Sequence, residues 1–561
     1  MPDFKNKPPV FLIKPLEKKL PPRSSSPVGW GRFALIALLI FILMNLGNIY
    51  LQGKAWMNQN RPVALTAFAH LKAGMDQLFR RDFTGADDRF KKAEESLVEL
   101  QKNAQLLTSQ ANQFLNEPLY LDAANQLIQS GVAIAALGQS FTELANNPPH
   151  FSEPFTPAFL EEFKQLKTNV DSLFGQAVEV QQHLTRLNPV VVPADVREQL
   201  STAQKGIGDL LAYLREGRSA FSAALDWLGD EHPHQTLVLL QNKNERRATG
   251  GFIGSYLLVT TSKGEITKFD AKDVYETDGQ LTEMIAPPPG IREVADRWAM
   301  RDANFSPDFP TSAKKIQWFL EHSRGPTVDT VIAVDQTVIE KLLELTGPIE
   351  LKGFPFTLKS KNVDDLLSFY TEAKLAGVQN PKQLLFDLAQ AVKKEFMKLQ
   401  DFSSLIPVAQ SLISEGHVQL YSNDEDIQEV AKFLKMDGAM AVPTEKTDYL
   451  NVITTSIGGN KSDRYIQMKL DHQVQIASDG SVTDRLTITK HHTWSERDWS
   501  RFQKWINYYG ASKLPLKDLH FILGGGPNVD YLRVYVPKGS KLLKKEGIET
   551  VETSEKLGYT V

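Results

Sequence analysis

At 561 residues and 42% apolar content, the chain is long enough for roughly three or four folded units, each with its own core. Lys and Arg (63) nearly balance Asp and Glu (67), and the formal net charge of −4 leaves no basic footprint, so nucleic acid is not an expected partner. The absence of cysteine excludes disulfides, thiol nucleophiles and iron–sulfur ligation, and leaves an exported chain to hold itself by packing alone.

Residues 1–32 are rich in proline, and they set Lys5, Lys7, Lys14, Lys18, Lys19, Arg23 and Arg32 against Asp3 and Glu17. This is the composition of a disordered basic cytoplasmic tail. Residues 33–51 (FALIALLIFILMNLGNIYL) are continuously apolar and would span about 28 Å as a helix. The run exceeds a usual signal-peptide core and no Ala-x-Ala-like site follows it, which predicts a retained transmembrane signal anchor. The cation excess ahead of the run predicts a single-pass protein of the cytoplasmic membrane, N-terminus inside and the bulk of the chain extracytoplasmic. The lipid bilayer is then an expected partner, and an exported, cysteine-free chain of this size is expected to be bacterial.

Residues 56–228 read as a helical bundle or stalk. Phe90, Ala93, Leu97, Leu100, Ala104, Leu107, Ala111 and Phe114 recur at alternating steps of three and four, as do Phe159, Phe163, Leu166, Val170, Leu173, Ala177, Val180, Leu184 and Leu187. A third run passes through Val196, Leu200, Ala203, Ile207, Leu210 and Leu214. This is the repeat of a coiled-coil seam, used either to bind a partner or to close an intramolecular bundle. Pro118, Pro157, Pro189 and Pro193 punctuate the runs. Phe83–Ala93 is similar to one tetratricopeptide turn, but no 34-residue repeat follows.

Residues 229–443 read as a mixed α/β domain. Thr236–Gln241 and Asp329–Asp335 are short buried strands, Ser255–Asp270 is a hairpin turning at Lys263-Gly264, and helical patterns return after Asp364. Residues 447–561 read as a β-sandwich-like domain, with a hairpin turning at Asp479-Gly480 and an aromatic insert of Trp499, Phe502, Trp505, Tyr508 and Tyr509. The ending Gly558-Tyr559-Thr560-Val561 reads either as an edge strand or as a cut through a longer sequence. The expected fold class is therefore multidomain α+β: transmembrane helix, helical stalk, α/β domain and β-sandwich-like end.

The usual catalytic signatures are missing. Gly250-Gly251-x-x-Gly254 is not a dinucleotide fingerprint, and there is neither a Walker loop nor a Gly-x-Ser-x-Gly elbow. His491 and His492 would point to opposite faces of a strand, and His232 and His234 lack a third ligand. Two segments stand out. Gln241–Ser255 sets Lys243, Asn244, Glu245, Arg246 and Arg247 before Gly250 and Gly251, residues suited to phosphate or carboxylate recognition. Arg301–Pro310 holds Arg301 and Asn304 ahead of a helix start, with Asp302 and Asp308 as candidate ligands of a divalent cation. The same residues equally suit an Arg–Asp ion-pair network that braces two loops.

The stretch Asn242-x-Asn244-Glu245-x-Arg247-x-Thr249-Gly250-Gly251-Phe252-Ile253-Gly254-Ser255 resembles the signature of an uncharacterised bacterial family, domain of unknown function 4012. Arg301–Pro310, Val331–Asp335, Thr346-Gly347-Pro348 and Gly458–Asp463 fit the same family. The resemblance implies a single-anchor envelope protein with no established activity. A fainter similarity is to the LytR-CpsA-Psr transferases, which attach lipid-linked glycopolymers to the cell wall. The sequence departs from them in having no arginine in Phe369–Leu385 and no counterpart of their Arg-Ser-Asp-Thr aspartate.

The leading expectation is a non-catalytic envelope protein that binds or organises envelope components such as glycopolymer, with no cofactor firmly implied. The alternative is a transferase of polyprenyl-pyrophosphate-linked glycopolymers. It would use Arg246, Arg247 and Arg301 with an Asp-bound magnesium, and take a polyprenyl-phosphate lipid as partner.

Overall fold

The computed structural model describes residues 54–111, 119–147, 152–186, 194–375, 378, 382–396, 405–442, 444, 447–509 and 512–561. They fall into two compact units, one from residues 1–149 and 168–217, the other from residues 150–167 and 218–561. The transmembrane helix expected at 33–51 lies outside the described residues, and no helix among them is long and apolar enough to cross a membrane. The expected fold class is corrected accordingly: the chain is a mixed α/β protein with several sheets and no membrane-spanning helix in its described architecture. The first described helix, Lys54–Phe79, shows the physical reason, since Arg61, His70, Lys72 and Asp76 interrupt its apolar positions.

In the first unit, helix Phe83–Ala111 packs against helices Lys54–Phe79 and Leu119–Asn146. Asp82 caps the start of Phe83–Ala111 by accepting the Gly85 N–H at 3.0 Å. Phe90 is fully buried where two glycines leave room for its ring. A Cβ at Gly138 would stand 2.9 Å from that ring, and one at Gly74 would stand 3.0 Å from it. Val170, Leu173, Ala177, Val180 and Leu184 are buried within the chain itself, so the heptad seam is not presented as an open coiled coil.

The second unit is built on a five-stranded sheet. Its strands are β1 (His234–Arg247), β2 (Gly250–Ser262), β3 (Glu265–Asp273), β4 (Thr330–Asp335) and β5 (Val418–Ser422), in the order β3-β2-β1-β4-β5. Only β1 and β4 run parallel; the other neighbours are antiparallel. The β2–β3 turn has Lys263 and Gly264 both at positive φ (52° and 82°), the backbone a two-residue hairpin loop needs.

Helix Phe309–His322 covers one face of this sheet. Asp308 caps it and Pro310 sits in its first turn; Phe309, Ala313, Ile316 and Leu320 recur on one face and bury against Leu237, Leu239, Val331 and Ala333. Each such large side chain contributes about 1.5–3 kcal/mol when fully buried. A second core joins helices Gln336–Thr346, Val363–Glu372 and Gln383–Phe396, and Phe369 carries it to the aromatic helix Glu496–Tyr509 by stacking on Phe502.

The C-terminal region is not a sandwich, which is a second correction. β6 (Asn451–Ser456) pairs with β9 (Asp530–Pro537), and β10 (Glu555–Lys556) with β11 (Tyr559–Thr560) complete a four-stranded sheet in the order β10-β11-β9-β6. β7 (Ile466–Ile476) and β8 (Val482–His492) form a separate two-stranded ribbon that is largely exposed. Their alternation is that of a half-buried strand, yet the apolar face is left open.

Candidate functional site

The arginine loop begins where β1 leaves its ladder with β2. Asn242 faces Phe252 and Arg246 faces Gly251, so Lys243, Asn244 and Glu245 bulge out without partners on β2. Gly251 is required for backbone packing: a Cβ there would lie 2.0 Å from the Asn242 carbonyl oxygen. Gly250 has φ 136°, and Gln241 Oε1 accepts the Gly251 N–H at 3.1 Å.

The bulged side chains bond within the protein. Lys243 Nζ donates to Thr337 (2.9 Å) and pairs with Glu340 (3.1 Å), both at the start of the helix after β4. Asn244 donates to Asp364 at 2.9 Å, and Glu245 pairs with Lys461 at 3.3 Å. The Arg246 N–H donates to Asp463 at 2.7 Å. Arg247 spends four of its five N–H groups: Nε and Nη2 donate to Asp302 Oδ1 (3.1 and 2.8 Å), and Nη1 donates to the carbonyls of Arg246 and Ser456.

The second segment meets the first at this point. Arg301 pairs with Asp278 at 3.0 Å and with Asp302 at 3.5 Å, and it lies over the Tyr275 ring. Burial raises the Asp278 carboxyl, and Arg301 and the Met300 N–H oppose that rise. Asn304 donates to the Gly251 carbonyl at 2.8 Å. A neighbouring network joins Arg464 to Asp364 and Asp365, Arg501 to Asp365, and Lys461 to Glu372. Burial pulls the Lys461 ammonium down, but Glu372 and Glu245 outweigh it and hold the group above its ordinary value. The side chains of Asn244, Glu245, Arg247, Arg301 and Asn304 thus converge on internal partners, whereas Arg246 is held through its backbone N–H.

Asp302 and Asp308 do not suit a magnesium ion. Asp302 already faces two guanidiniums, and Asp308 accepts from Thr311 N–H and Oγ1 with one oxygen and from Met440 N–H with the other. Among the described residues, the groups of three donors at ligand spacing are Asp448/His472/Asp484 and Asp226/Asp424/Asp426, and neither includes this pair. His234 is buried against Thr330 Oγ1 at 2.9 Å, and His492 bonds the Gly524 carbonyl.

Next to this network lies a cavity of about 450 Å³ whose lining includes Trp298, Phe305, Ser306, Thr311, Lys315 and Trp318. The network holds its walls. Trp298 Nε1 donates to the Asp302 carbonyl at 3.0 Å, and Arg533 donates to the Phe305 carbonyl at 2.7 Å while its guanidinium covers the Phe305 ring at 3.8 Å. Lys315 Nζ stands 4.2 Å from the Trp318 ring centre, 5.1 Å from Trp298 and 5.2 Å from Phe319.

Residues 231–370 match the family described as "Protein of unknown function (DUF4012)". This match supports the family resemblance over residues 231–370. No curated protein and no solved structure matches it, and the similarity to the LytR-CpsA-Psr transferases is not carried by any match. The span matched to the DUF4012 family takes in β1 to β4, both loops and the cavity wall, but not Gly458–Asp463, which docks onto the family's arginine loop through Lys461 and Asp463. Trp298, Lys315 and Trp318 lie within the match and escape a reading of motifs. Trp318 follows Lys315 by three residues on an amphipathic helix, a spacing that reads as ordinary core and surface, and only folding sets Trp298 beside them.

Proposed function

We propose that this chain acts by binding and organising components of the cell envelope, glycopolymer among them, and not by transferring a group between them. The observation that carries this reading is the internal pairing of Arg247, Arg301 and Asp302. Four of the five Arg247 N–H groups bond within the protein, and Asp302 is held by two guanidiniums. Recruiting either to a substrate would leave a buried charge unpaired, at a cost of about 3–5 kcal/mol. An extracytoplasmic setting is part of the proposal, supported by the cation bias of residues 1–32 and the absence of cysteine.

The test uses farnesyl pyrophosphate with magnesium as a soluble polyprenyl pyrophosphate. The full chain is expected to melt at the same temperature with and without it. A stabilisation of several degrees that Arg247→Lys abolishes would overturn the binding-only reading in favour of a transferase.

A further inference from the structure

The cavity beside the arginine network has the components of a ligand site, and they are not spent on one another. Lys315 is held by ring faces and by no carboxylate. Among the described residues no hydrogen bond or ion pair engages its ammonium or that of Lys314, whose Nζ instead lies 5.5 Å from the Tyr421 ring centre. This sets Lys315 apart from Lys243, Lys382 and Lys461 of the same unit, each of which has a carboxylate within 3.3 Å. Burial alone draws the Lys315 ammonium below its ordinary value, with no nearby charge opposing it. Trp318 is sandwiched between this ammonium and the His322 ring, stacked at 3.9 Å, so the lysine is aimed by a fixed platform. Trp298 meets Phe319 edge-to-face and is pinned through its indole N–H.

We propose that this cavity binds a sugar bearing a phosphate or carboxylate, with the oxyanion on Lys315, the apolar face of the ring along Trp298, and its hydroxyls at Ser306 and Thr311. A phosphate ion alone leaves the Trp298 ring uncovered, and a purely apolar ligand leaves the ammonium unpaired. A sugar has both an apolar C–H face and a rim of hydroxyls, matching walls that are aromatic on one side and hydroxylated on the other. Thr311 Oγ1 donates to Asp308 and keeps acceptor capacity, while Ser306 Oγ accepts the Asp308 N–H and keeps its own O–H to donate. The proposal deepens the binding role given above and rests on it. It also gives the arginine network a purpose, which is to fix Asp302, whose carbonyl accepts the Trp298 indole N–H.

Isothermal titration of the full chain with glucose 1-phosphate, glucuronate, glucose and inorganic phosphate tests the site and separates the two anionic forms. At least one acidic sugar is expected to bind at least tenfold more tightly than glucose or phosphate alone. Lys315→Met keeps the aliphatic stem on the indoles and removes only the charge. It is expected to weaken the acidic sugar at least tenfold with an unchanged melting temperature, and Lys315→Arg to retain binding. If Lys315→Met fails to fold, Lys315→Arg together with Trp298→Phe supplies the contrast, the second losing affinity for the sugar and not for phosphate. Failure of both acidic sugars to bind, affinity unaffected by removing the charge, or phosphate binding as tightly as the sugar would each overturn the site. None of these results bears on the farnesyl pyrophosphate melt, which alone separates binding from transfer.

Discussion

Arg247 and Asp302 show how one pair sets the character of the region. Their side chains are 5% and 4% exposed, so removing Asp302 leaves Arg247 as a buried, unpaired charge, and removing Arg247 leaves Asp302 only its longer pair with Arg301 at 3.5 Å. Arg247→Ala is expected to lower the unfolding free energy by about 3–5 kcal/mol in a urea titration, and Arg247→Met with Asp302→Leu to recover most of it. A loss below about 1 kcal/mol, the scale of an exposed pair, would show that the network does not brace the fold. His234 gives a pH dependence of known sign. Burial disfavours its imidazolium more than Asp329 and Asp424 favour it, so its folded pKa lies below the ordinary histidine value of 6.5. Its contribution is fully present above about pH 6.5 and is lost as pH falls through the depressed value, because the unfolded chain takes up the proton first. Urea midpoints between pH 7.5 and 5.5 should fall for the wild type and fall less for His234→Asn. At this scale the residue types at 241–255 and 301–310 were legible as partners in charge. Whether they face a ligand or each other was not, because that depends on Ser456, Asp463 and Lys461, which lie some 200 residues away in the chain.

Among the elements, those with a strict period were the most legible and those with a mere alternation the least. The seam residues Val170 to Leu184 are buried as their spacing requires, and Leu173→Asp is expected to cost several kcal/mol by burying an unpaired charge. Glycines within the helices divide by what surrounds them. A Cβ at Gly138 would press on the Phe90 ring, whereas one at Gly175 meets nothing within 4 Å. Gly138→Ala is therefore expected to destabilise by about 1–3 kcal/mol, and Gly175→Ala to stabilise by about 0.5–1 kcal/mol. Equal effects from the two in thermal melts would show that the Phe90 contact carries no weight. The β7–β8 ribbon misleads for a different reason. Leu470, Val474, Ile476 and Val482 alternate as in a core strand, yet they are 43%, 44%, 74% and 50% exposed. Alternation reports that a strand has two unlike faces, not that another sheet covers one of them.

Over the whole molecule, the division into two units carries the last expectation. One core is centred on Phe90 with Leu71, Met75 and Leu97; the other lies between the five-stranded sheet and the helix Phe309–His322. Each unit has the buried apolar interior that lets a domain fold as its own cooperative block. Calorimetry of the full chain is expected to resolve two transitions. Substitutions distant from one another and without shared partners act additively, so each destabilising variant should move one transition and leave the other in place. Gly138→Ala should lower the transition of the helical unit, and Arg247→Ala that of the sheet-containing unit. A single transition that both variants shift together would mean that the two cores unfold as one block. The cavity walls would then depend on the helices of the other unit, and a loss of sugar binding in Arg247→Ala would no longer report on the arginine network alone.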